Sequence, residues 1–234
     1  MNLKEITTQM EALSNSGIAS HSQRFFKTGP GEYGHGDLFR GIRVPKIRQL
    51  SRKYKKLSLN DTLRLLKSAY HEDRQLALFI MVLKYKSSDP DTQKQLVEFY
   101  LSHTAYINNW DLVDGSAPQI LGTHLLHTDR SLLYRLADSD SLWERRIAVL
   151  ACFTFIRHSS YDDILKLAAI LLHDPEDLMH KAIGWMLREV GKRDFQTEDE
   201  FLKTHYRQMP RTMLRYAIEK YPEEKRQAYL KGIV

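Results

Sequence analysis

Trp110 and Asp114 stand four residues apart in the stretch Ile107-Asn-Asn-Trp-Asp-Leu-Val-Asp114. In a helix four residues make about one turn, so ring and carboxylate share a face. An acid held beside an aromatic ring can stabilise a growing positive charge and orient a water for attack. The ring face itself attracts cations. The ordinary alternative is a core tryptophan with a solvated or salt-bridged acid nearby. Other chemistry-bearing residues are sparse. His124 and His127 lie three apart with no Glu or third ligand, so no metal site is expected. Cys152 follows an apolar run and reads as a small buried hydrophobe. No nucleophile elbow occurs. The Gly-rich run Thr28–Asp37 lacks the Gly-Lys-Ser/Thr ending of a phosphate loop and reads as a packed surface loop.

The elements that must position Trp110 and Asp114 are helices. Residues 3–14 and 21–27 read as helical, with a polar turn from Ser14 to Ser20 between them. From Pro45 onward helix follows helix: Pro45, Pro90, Pro175, Pro210 and Pro222 precede amphipathic patterns, where a missing N–H costs nothing. Asp89 and Asp174 are expected as N-caps, and Ser141 with Glu144 as a capping box. Pro118 is expected to kink or break the helix just beyond Asp114. No stretch alternates with period two, so no sheet is expected.

The helices also repeat. Aligning Trp110 with Arg74, Arg145, His180 and Leu214 gives a helix pair about every 35 residues, the mark of an α-solenoid. First helices fall at 59–67, 91–102, 131–137, 161–172 and 198–207. In that frame, with Trp110 at zero, Asp114 lies near about 40° on the helical wheel, Arg146 near about 100° and Trp185 near about 140°. Asp111, Lys181 and Arg215 share the Arg146 column, which reads as a basic stripe. Trp143, in the first turn of its helix, reads as a packing anchor. The expected fold is all-α, a curved α-solenoid of helical pairs with a basic concave face, a single domain over 1–234.

The chain has 234 residues and a net charge of +6, from 35 Lys+Arg against 29 Asp+Glu. This fits a polyanion partner without requiring one. The N-terminus shows no secretion signal, no apolar run reaches a membrane-spanning length of about 18 residues, and one cysteine excludes an internal disulfide. A cytoplasmic location is expected.

Asn108-Asn-Trp-Asp-Leu-Val-Asp114, Trp143-Glu-Arg-Arg146 and Lys181-Ala-Ile-Gly-Trp-Met-Leu-Arg-Glu189 resemble, in this order, the AlkD-type DNA alkylation repair family, over about Phe25 to Arg215. The resemblance implies a HEAT-like-repeat DNA glycosylase that removes positively charged N3- and N7-alkylated purines from duplex DNA without a deep base-flipping pocket. It implies Asp114 as the catalytic carboxylate, Trp110 and Trp185 as aromatic contacts to the lesion strand and Arg146 as a cleft arginine. Phe25 stands where family members carry a tyrosine; it can stack but not donate a hydrogen bond. Lys181 and Arg215 are expected on the DNA backbone. No cofactor, metal, membrane or obligatory protein partner is expected, and the chain is expected to act as a monomer. Two other readings stay open at this point: a non-catalytic protein binding damaged or branched DNA, and a protein-binding HEAT scaffold.

Overall fold

The computed structural model describes residues 3–234, and their regular structure is helical, with no strand and one isolated bridge, Leu38 to Tyr70. The chain falls into two compact units, Met1–Ser116 and Ala117–Val234.

The first unit contains α1 (Leu3–Ala12), α2 (Ser16–Phe25), α3 (Val44–Lys53), α4 (Leu59–Leu66), α5 (His71–Lys86), α6 (Pro90–Leu101) and α7 (Trp110–Ser116). Helix α5 is its centre. Every residue from His71 to Val82 is buried, and α3, α4, α6 and α7 pack on it. A helix apolar or paired on all sides is a core helix. The expected polar turn from Ser14 to Ser20 is shorter: α1 ends at Ala12 and α2 starts at Ser16. The Asn15 side chain accepts from the Ile18 N–H at 2.9 Å, and that cap begins the helix inside the polar run. The Gly-rich run is a series of turns, as expected, leading into an extended strap, Leu38–Ile42. The strap is bound to α5. The Glu72 carboxylate accepts the N–H groups of Arg40, Gly41 and Ile42 at 2.9, 2.8 and 3.2 Å. Arg40 forms a two-pronged pair with Asp73, at 2.7 and 2.8 Å. Gly41 has φ +77° and lies so close to α2 that a Cβ there would sit 2.1 Å from the Asn15 carbonyl oxygen.

The second unit contains α8 (Ser131–Ala137), α9 (Leu142–Arg157), α10 (Asp162–Ile170), α11 (Asp177–Gly191), α12 (Phe195–His205), α13 (Arg211–Ala217) and α14 (Glu223–Lys231). Here α9 packs on α8 and α11, and α11 on α12 and α13. The approach of α11 to α13 depends on Gly184, where a Cβ would lie 2.4 Å from the Met213 carbonyl oxygen.

Several local expectations hold. Asp89 caps α6 through the Thr92 N–H, and α7 ends at Ser116, followed by a π-helical turn over Pro118–Gly122. Others change. Glu176, not Asp174, stands at the N-cap position of α11, without a side-chain cap; Asp174 accepts the Glu176 N–H at 2.9 Å and pairs with Arg145 at 2.6 Å. Ser141 precedes α9 without a side-chain cap. Ser139 takes that part, donating to Glu144 at 2.6 Å and accepting the Ser141 N–H at 3.1 Å.

The repeat alignment also needs one correction. Arg74, Arg145, His180 and Leu214 are each the fourth residue of their helix, whereas Trp110 is the first of α7. Counted from the helix starts, it is Asp114 that shares the fifth position with Gln75, Arg146, Lys181 and Arg215. The spacing argument put Trp110 three residues too deep, because α7 begins late, after a 3₁₀ turn at Thr104–Tyr106.

Candidate active site

Helix α7 buries Leu112 and Val113 against the first unit and leaves Trp110 and Asp114 half-buried on its open side. Burying two such aliphatic side chains is worth about 1.5–3 kcal/mol each, enough to fix which face of a seven-residue helix turns outward. Gly115 lets the helix sit close to α5: a Cβ there would meet the Phe79 ring at 3.2 Å. Tyr100 of α6 holds the far end, its hydroxyl 2.9 Å from Ser116 Oγ.

Trp110 and Asp114 line a cleft of about 470 Å³ together with Phe25, Phe26, Arg48, Phe79 and Asp111. Its walls are aromatic. Phe26 stacks on Trp110, with ring centroids 5.2 Å apart and planes 18° apart. Phe25 meets Trp110 edge-on at 6.0 Å and remains 58% exposed at the mouth. Arg48 lies over the Phe79 ring at 4.4 Å. The cleft therefore offers a carboxylate, aromatic faces and a cation at its edge.

Behind this wall lies a buried polar chain. His71, 2% exposed, places Nε2 2.9 Å from Asp111 Oδ2 and Nδ1 3.4 Å from Asp37 Oδ2. Gln75 donates to the same Asp111 oxygen at 2.7 Å, and Arg74 pairs with Asp37 at 2.6 Å. Burial pushes the imidazole toward its neutral form. The Asp111 charge and the hydrogen bonds to both carboxylates outweigh that, and Arg74 opposes them, leaving the His71 pKa raised to about 9. At neutral pH His71 is an imidazolium and donates from both nitrogens. For Asp37, burial raises the pKa, but the His71 hydrogen bond and the Arg74 charge together hold it below the ordinary value. The His71 ring is stacked on Phe39 at 4.8 Å and lies against Phe26 at 4.8 Å. Phe26, Phe39, His71 and Asp111 also line a second cavity of about 800 Å³, bounded by Ile18, Arg43 and Pro45.

The structure thus brings Trp110, Asp114 and Phe25 together in the first unit. The other four candidates belong to the second. Arg146 is 4% exposed and donates Nη1 to the Leu178 carbonyl at 2.6 Å, tying α9 to the start of α11. Trp185 is half-buried, 5.7 Å from the Phe153 ring. Lys181 pairs with Asp177 at 2.7 Å, and Arg215 is exposed on α13. Asp111, which shares the Arg146 column in the sequence alignment, is turned inward to His71 and Gln75.

Sequence reasoning missed Phe26, the residue that actually stacks on Trp110, and, though Pro45 marked the helix α3, it missed the cations that α3 carries. Between Asp37 and Asp61 the chain carries eight cations and no acid. Arg43, Lys46, Arg48 and Arg52 are exposed and form no ion pair among the described residues. That acid-free run was the available signal.

Among curated proteins none matches the sequence. A solved structure described as a predicted DNA alkylation repair enzyme from Enterococcus faecalis is similar in fold, with a TM-score of 0.68 at 18% identity, over 90% of this chain and 97% of that one. The sequence model of the DNA alkylation repair enzyme family matches residues 6–221, so the chain belongs to that family and its role is in the repair of alkylation damage.

Proposed function

We propose that the chain is a DNA glycosylase that removes positively charged N3- and N7-alkylated purines from duplex DNA. One observation carries this: Asp114 is half-buried beside Trp110 in an open, aromatic-walled cleft rather than a deep pocket. An alkylated purine already carries positive charge and leaves without being protonated. The C1′–N bond breaks, its electron pair neutralises the departing base, and positive charge grows on the sugar. The Asp114 carboxylate stabilises that charge and orients a water, which attacks C1′ and gives up its proton to the carboxylate or to solvent. The products are the free base and an abasic sugar. Trp110 and Phe26 present aromatic surface to the cationic base or sugar.

Double-stranded DNA is the partner, held through its phosphates by Arg43, Lys46, Arg48 and Arg52 of the α3 region and by Lys181 and Arg215. Arg146 and Trp185 join the lesion strand in this reading. Phe25 lies at the mouth, where it packs against the lesion strand without donating a hydrogen bond. A shallow cleft suits work on the exposed sugar and backbone, without the base swung fully into the protein.

The test is base release from a duplex oligonucleotide carrying one 7-methylguanine. Asp114→Asn should bind the duplex as wild type does and release the base about 100- to 1,000-fold more slowly. Tight binding by the wild type with no release would leave a DNA-binding protein and end the glycosylase reading.

A further inference from the structure

The Gly-rich segment and the buried His71 have no part in the chemistry above, yet they meet directly behind it. Asp37 ends the Gly-rich run, His71 begins α5 and Asp111 is the second residue of α7. Three elements distant in sequence are thus joined through one imidazole ring. We propose that Asp37, His71 and Asp111 form a carboxylate–imidazolium–carboxylate chain that positions Trp110 and Asp114, so that base release depends on the proton shared along it. All three are positioning residues. The inference rests on the glycosylase reading for its activity readout, but not for its structural one.

The geometry supports the chain at each link. Asp111 directs one oxygen, Oδ2, to both His71 and Gln75; its other oxygen, Oδ1, is out of solvent with no hydrogen-bond partner among the described residues. The carboxylate is therefore held from one side, and the charge on His71 is what compensates it. Asp111 is adjacent to Trp110, and α7 has only seven residues, so a shift at its second residue moves Asp114 at its fifth. The ring contacts carry the same coupling: Phe26 touches both His71 and Trp110, and Phe39 packs on both Phe26 and His71. The titratable groups facing His71 are Asp37 from the Gly-rich segment, Asp111 from α7 and Arg74 from its own helix. Its neighbours Glu72 and Asp73 are engaged by the strap residues Arg40, Gly41 and Ile42.

When His71 loses its proton, one carboxylate faces a ring lone pair instead of an N–H. Whichever nitrogen keeps its proton, the positive charge between the two carboxylates is gone, Asp111 loses its compensation, and α7 is free to shift. A displacement on the order of 1 Å in a catalytic group is enough to cost about 100-fold in rate.

The experiment follows His71 by NMR in the full-length protein, its resonance assigned by its absence from His71→Gln. In parallel, kcat for 7-methylguanine release is measured against pH. Wild type should titrate His71 at about 9 and lose activity along the same curve. Asp37→Asn is the mild variant, since it keeps the shape and an acceptor oxygen. In it the His71 midpoint and the alkaline limb of kcat should fall together by about one pH unit or more, with KM for the duplex little changed. His71→Gln should lower kcat about 100-fold and abolish the limb. A purely structural part would depress activity at every pH and leave the limb in place, which overturns the proposal. So does a His71 midpoint at or below the ordinary value. If wild type releases no base, the glycosylase reading fails by itself. The Trp110 indole N–H resonance, assigned by Trp110→Phe, then decides: movement with the His71 midpoint supports the chain, and its absence overturns it.

Discussion

Phe26 touches four rings, Phe25, Phe39, His71 and Trp110, with centroids 4.8 to 5.2 Å away. Among the described residues, its neighbour Phe25 has ring contacts with Phe26 and Trp110, and it is mostly exposed. The two phenylalanines therefore have different tasks. Phe26→Ala removes the packing between α2, the strap and α7, and should cost about 2 kcal/mol in urea denaturation, below the figure for a fully buried ring because Phe26 is half-exposed. Phe25→Tyr should leave stability within about 0.5 kcal/mol. It adds a hydroxyl at the cleft mouth, and a faster 7-methylguanine release in that variant would be the expected gain. Sequence alone could not separate the pair, because adjacent residues of one type give no clue to which faces inward once the helix ends. Phe26 is the C-cap of α2, just where periodicity stops being informative. Trp110 and Asp114 were legible because α7 is helical and their spacing is local. His71 was not, because its two partners lie 34 and 40 residues away and no local pattern links them.

At the scale of elements, helix pairs and proline-marked starts could be read directly, since apolar periodicity and caps act over a few residues. The register of α7 could not, because a 3₁₀ turn before it shifts the count. The strap depends on contacts equally remote from local pattern. Gly41 combines a left-handed φ with backbone contact to α2, so Gly41→Ala should destabilise the protein by more than about 1 kcal/mol, measurable as a lower Tm. Helix α3 makes the other prediction at this scale. In the proposed reading Arg43, Lys46, Arg48 and Arg52 contact phosphates, and each neutralised phosphate contributes about 0.9 to the slope of log K against log salt. Lys46→Ala with Arg52→Ala, both exposed and in no ion pair among the described residues, should leave folding intact and reduce that slope by about two, as read by fluorescence anisotropy with undamaged duplex. An unchanged slope would remove α3 from the DNA surface.

At the scale of the whole molecule, each unit contains a buried group that binds its proton more tightly when folded and titrates between mildly acid pH and about pH 9. In the first it is His71, with a pKa near 9. In the second it is Glu198, 1% exposed on α12 and confined against Gly191. Burial drives the Glu198 pKa up and the nearby Asp199 charge adds to that, while Tyr221 and Arg188 pull it back, leaving it raised to about 8. A group whose folded pKa exceeds its unfolded value stabilises the fold while protonated and stops doing so as pH rises between the two. For Glu198 that window runs from the ordinary 4.5 to about 8, and for His71 from the ordinary 6.5 to about 9. The two losses have the same sign, so stability should decline steadily from mildly acid pH to pH 9, by an amount on the order of a few kcal/mol. Glu198→Gln mimics the neutral acid and should remove the lower part of that decline. At pH 8.5 it should therefore be more stable than wild type in urea denaturation, and at pH 5 nearly equal to it. His71→Gln should lack the upper part and be less stable than wild type at pH 6, with the difference shrinking toward pH 9. A Glu198→Gln variant no more stable than wild type at pH 8.5 would mean that Glu198 ionises in the fold as readily as in the unfolded chain, its charge answered by Arg188.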